Sequence, residues 1–109
     1  MSKYIFIESR DPFESRDSSF VRETASALHQ HGHEVTVFMV QNGVLATRKE
    51  AQEIWLSQLA STGITLLADD FSLSERGIQP AELQPGISPA PIEVQVDLLV
   101  QENTKAIWH

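Results

Sequence analysis

Four short runs of consecutive apolar residues divide the chain: "YIFI" (4–7), "VTVFMV" (35–40), "ITLLA" (64–68) and "KAIW" (105–108). None alternates strictly with polar residues. Unbroken apolar runs of this length suit strands covered on both faces, as in a parallel sheet. The second run is rich in β-branched and aromatic residues, which fit a pleated surface.

Between the runs the apolar period changes to that of a helix. Residues 18–31 place Val21, Ala25 and Leu28 on one face, with Phe20 and Ala27 at its edges, and Gly32 follows as a stop. Residues 48–61 carry a stripe of Ala51, Ile54, Trp55 and Leu59 that ends at Gly63. Thr47 with Glu50 reads as a capping box. Ser72 with Glu75 reads as a second one, so "LSER" is expected to be a single helical turn stopped by Gly77. Residues 92–103 offer Ile92, Val96, Leu99 and Val100 as the apolar side of a last amphipathic helix. The segment 79–91 holds Pro80, Pro85, Pro89 and Pro91 and is expected to be an ordered excursion or surface loop.

The order β-α-β-α-β-loop-α-β predicts an α/β fold. The expected form is a three-layer sandwich with a mostly parallel sheet of about four strands, flavodoxin-like or Rossmann-like, with right-handed crossovers. At 109 residues it is expected to be a single domain, residues 1–109.

Composition narrows the function classes. The chain has no cysteine, so it forms no disulfide or zinc thiolate and carries no persulfide. Its net charge of −7, with basic residues scattered, argues against nucleic acid and against an anionic membrane surface. No apolar run approaches the ~20 residues that span a bilayer. The first residues lack the form of a signal peptide, so the expected compartment is the cytoplasm.

In open parallel sheets ligands bind beyond the carboxyl ends of the strands. Those ends carry Glu8, Ser9 and Arg10, then Gln41, Asn42 and Gly43, then Asp69 and Asp70, and finally His109. With Arg76 nearby in sequence, they define a candidate pocket of Glu8, Ser9, Asn42, Gly43, Asp69, Asp70 and Arg76. Asp69 and Asp70 invite an acid–base reading, but neighbours at a strand end point in different directions and need not share a site. His29, His31 and His33 resemble a metal tract. Their spacing puts the first two on different helix faces, so plain surface histidines are the expectation. The loop "SRDPFESRDSS" (9–19) has two arginines but no glycine to wrap a phosphate, and Asp17 or Ser18 is expected to cap the helix after it. No metal and no cofactor is expected.

Four stretches together resemble the DsrE/DsrF-like family, which includes the sulfur-relay TusB-, TusC- and TusD-type subunits. They are "KYIFIESRDPF", "GHEVTVFMVQNGV" (32–44), "GITLLADDFSLSERGI" (63–78) and the terminal "DLLVQENTKAIWH". The resemblance covers nearly the whole chain and implies the same α/β sandwich. It implies assembly as a homotrimer or homohexamer, or with DsrE-like paralogues, with sulfur-carrier proteins as further partners. Active members carry a persulfide cysteine at the end of the third strand, and that position falls on Asp69 here. A helix start that would favour a thiolate favours a carboxylate equally. The expected function is a non-catalytic subunit, structural or accessory in sulfur metabolism. Two alternatives stay open: a small-ligand-binding domain using the strand-end pocket, and a cysteine-free enzyme using its carboxylates.

Overall fold

The computed structural model describes residues 2–12, 14, 17–51 and 53–109. Five strands form one sheet: β1 (Lys3–Glu8), β2 (Glu34–Met39), β3 (Thr65–Asp69), β4 (Ile87–Ala90) and β5 (Thr104–Trp108). Every pairing is parallel, and the order is β4-β3-β2-β1-β5. The sheet thus has one strand more than the expected four. The extra one, β4, lies inside the proline-rich segment and pairs Pro89 with Ala68 of β3. Proline lacks an N–H, and a sheet tolerates it on an edge, which is where β4 stands.

Side chains alternate through the sheet, so each strand feeds two cores. On one side Phe6, Val37, Met39 and Leu66 pack under α1 (Phe20–Gln30), α2 (Trp55–Ser61) and α3 (Asp70–Glu75). On the other, Ile5, Ile7 and Phe38 meet Val94 and Leu98 of α4 (Ile92–Leu99). Val21 and Ala25 of α1 are buried as the period requires, and Gly32 ends that helix at φ 86°.

Several helix expectations need correction. The segment 48–61 is not one helix. A 3-10 turn spans Lys49–Ala51, α2 begins only at Trp55, and Gln52 lies outside the described residues. The Thr47–Glu50 capping box does not form. Thr47 is fully buried and its hydroxyl donates to the Val44 carbonyl at 2.6 Å, while Glu50 pairs with Arg48. In α2 the core takes Leu56 and Leu59, and Ile54 faces solvent. In α4 the stripe read as buried faces outward. Val94 and Leu98 hold the sheet, while Val100 is 75% exposed and Val96 52%. The helix is apolar on more than one side, a pattern that ordinarily means burial all round. Finally, α1 has Ser19 at its N-cap with no side-chain cap, so neither Asp17 nor Ser18 serves there.

Candidate functional site

The strand-end residues fall into two clusters and one outlier. The first cluster gathers at the end of β1. Because β1 lies between β2 and β5, Glu8 comes beside His109 across 101 positions of sequence. Glu8 Oε2 stands 2.7 Å from His109 Nδ1, and Asp17 Oδ2 stands 2.8 Å from His109 Nε2. Phe20 stacks on the imidazole at 5.0 Å, and the Ser9 hydroxyl donates to the His109 carbonyl. The Arg10 N–H donates to Glu8 Oε1, and the Arg10 guanidinium reaches Asp17 at 3.1 Å. Gly43 belongs here through its backbone. A Cβ at that position would overlap the Glu8 carbonyl oxygen, so the chain after β2 passes over β1 only because residue 43 has no side chain.

Both ring nitrogens of His109 face carboxylates. A neutral imidazole has one N–H and one lone pair, and that lone pair would meet a carboxylate oxygen. The arrangement therefore holds one proton more than separate residues would. Burial, partly opposed by the Arg10 N–H and by His109, raises the pKa of Glu8. Burial acts most strongly on His109 too and lowers it. The hydrogen bonds to Asp17 and Glu8 and the charges behind them together outweigh it, and its pKa is raised. Both shifts favour keeping a proton in the cluster, Glu8 through its burial and His109 through its two carboxylate partners. We place it on the ring, where each nitrogen then donates to one carboxylate. The cavity beside this cluster is only about 10 Å³, bounded by Met39, Trp55 and Leu56. That is about the space of one water, and among the described residues the cluster ties the end of β1 to His109.

The second cluster lies where β3 runs into α3. Asp69 is the N-cap: its Oδ2 accepts from the Ser72 N–H at 3.0 Å and from the Ser72 hydroxyl at 2.7 Å. The capping residue is thus Asp69, three positions before the expected Ser72. Ser72 Oγ also accepts from the Gln41 N–H at 2.9 Å and so joins α3 to the 3-10 segment Gln41–Thr47. From the end of α3, Arg76 donates to Asn42 Oδ1 at 3.1 Å and to the Ser72 carbonyl. Asn42, Asp69 and Arg76 are therefore one network through Ser72, which the sequence reading placed only as a cap. Asp69 borders a cleft of about 270 Å³.

Asp70 is exposed and borders a different cleft, with Leu73, Gly77 and Pro89. The two adjacent acids do not meet over a common space. The histidine tract also disperses. His29 meets the Thr62 carbonyl at 2.7 Å, and His33 accepts from the Ser2 N–H through Nδ1. Among the described residues no three His, Cys, Asp or Glu gather into a group able to hold a metal. Nor is any described helix long and apolar enough to cross a membrane. Arg16, half of the basic pair in the 9–19 loop, lies outside the described residues.

A sequence model of the DsrE/DsrF-like family matches residues 2–104. The chain belongs to this family. Solved structures agree on the fold. The ychN protein from E. coli superposes with a TM-score of 0.90 at 14% identity, over 100% of both chains. The protein of unknown function MTH1491 from Methanobacterium thermoautotrophicum gives 0.82 at 18% identity, again over 100% of both. No curated protein is significantly similar in sequence. In this chain an aspartate, Asp69, caps the β3–α3 junction.

Proposed function

We propose that this DsrE-like chain is a non-catalytic subunit, structural or accessory in sulfur relay, with no persulfide of its own. The observation that carries the reading is Asp69. It stands at the end of β3, the position the family resemblance assigns to the sulfur-bearing cysteine, and it caps α3. A carboxylate there keeps the junction folded and has no sulfur to pass on. Assembly into a homotrimer or homohexamer, or with DsrE-like paralogues, is supported by the outward apolar side of α4, where Val96 and Val100 are exposed.

Intact-mass measurement after incubation with polysulfide tests the chemistry. The native chain is expected to gain nothing, whereas Asp69→Cys is expected to gain mass in whole sulfur atoms. A stable gain by the native chain would refute the reading. Failure of the cysteine variant to gain would remove the junction as the site of the lost chemistry. Affinity capture tests the partnership: co-purification of a cysteine-bearing DsrE-like protein is expected, and its absence from a lysate that contains one counts against the accessory role.

A further inference from the structure

We propose that the cleft beside Asp69 binds a small organic cation, an ammonium or guanidinium group carried on an apolar body. Two buried acceptors on its lining lack a hydrogen bond: Asp69 Oδ1 and Gln95 Oε1. Asp69 is 6% exposed, and its other oxygen takes both Ser72 donors. A buried carboxylate oxygen without a donor is costly, and a charged donor relieves that cost most fully. Gln95 can turn either end of its amide to a ligand, but Asp69 as an anion can only accept.

The rest of the lining selects the class of ligand. It contains no lysine, arginine or histidine, and Glu75 adds a second carboxylate. Arg76 stands 3.7 Å from Glu75 just outside the lining, so Asp69 and Glu75 leave the cleft net negative and a cation is favoured over an anion. Phe71 and Trp108 border the same space and are 67% and 65% exposed. Exposed aromatic rings attract a cation, and Ile92 on the same lining suits an apolar body. A hard metal ion is a poorer fit, because it needs six or more oxygen ligands and rings supply none. The cleft of about 270 Å³ is the size of a small amine and its substituent.

The test uses the full chain and follows the two tryptophan indole N–H signals by NMR during titration with benzylamine. Trp108 borders the cleft, whereas Trp55 borders the separate small cavity and serves as an internal control. Benzylamine is expected to shift Trp108 saturably, with a Kd of about 1 mM, and to leave Trp55 in place. Asparagine caps a helix as well as aspartate does, so Asp69→Asn removes the charge and keeps the junction. It is expected to weaken binding by about tenfold or more. Gln95→Met, on the surface helix α4, should weaken it by a smaller factor and covers the case in which the Asp69 variant does not fold. Any of four results would overturn the proposal: no Trp108 shift with benzylamine, an equal shift with benzyl alcohol, an equal shift with calcium chloride, or native affinity in both variants.

Discussion

Replacing Glu8 by glutamine asks whether the Glu8–His109–Asp17 cluster holds its extra proton. The amide has the same shape and keeps an oxygen for the Arg10 N–H, now 2.9 Å away. Its NH2 can donate to Nδ1 of a neutral ring, while Nε2–H still donates to Asp17. The variant therefore completes both ring hydrogen bonds without the added proton, which the native carboxylate cannot do. In the native fold Glu8 and His109 both titrate above their ordinary values of 4.5 and 6.5. A folded state that binds a proton more tightly than the unfolded chain has its full advantage below the unfolded pKa. It loses that advantage as pH rises through the folded pKa. Native stability from this cluster should accordingly fall as pH climbs from 4.5 past 6.5. One proton limits the slope to about 1.4 kcal/mol per pH unit. Urea denaturation of both proteins from about pH 5 to about pH 9 gives the difference curve, in which the other titrating groups cancel. The difference should move in favour of Glu8→Gln with rising pH, no more steeply than that limit. Parallel curves, or a native protein that gains on the variant as pH rises, would refute the shared proton.

Gly43→Ala should cost about 1–3 kcal/mol, because the new methyl meets backbone that cannot turn aside; an unchanged thermal midpoint would contradict the close approach. Asp69→Ala removes the cap of α3 and both Ser72 bonds and should cost about 0.5–2 kcal/mol, with Asp69→Asn costing less. Equal losses in chemical denaturation would show that the cap is not the source. Glutamates at Val96 and Val100 should lower the mass seen by light scattering while leaving the helical signal intact. An assembly unaffected by both would take α4 out of the interface.

Much of the fold was legible because the four apolar runs obey a local rule: strands buried on both faces need no polar alternation. β4 escaped that rule. "ISPA" is four residues long, contains Pro89 and sits among other prolines, so only the exposed lip of β3 makes it a strand. In α4 the period was correct and the side was wrong. Helical spacing gives an apolar face but does not say whether the sheet or another surface covers it, and here Val94 and Leu98 took the sheet. The strand-end rule named Glu8, Asn42 and Asp69, and it noted His109. Their grouping depended on strand order, which a single sequence does not display. Placing β5 beside β1 would have been enough to join Glu8 to His109. Asp17 gave no such signal, because a loop aspartate before a helix looks like a cap.

The two borders of the sheet are unequal. β4 offers four residues to a newcomer, one of them a proline, and Pro91 follows at once. β5 offers five residues and no proline. A strand arriving from outside would find a full set of backbone donors and acceptors only along β5. If two copies joined there edge to edge, the combined sheet would present β4 at both ends. Growth by strand addition would stop at the pair, and the proline that makes β4 hard to find in the sequence would be what closes the sheet to fibre formation.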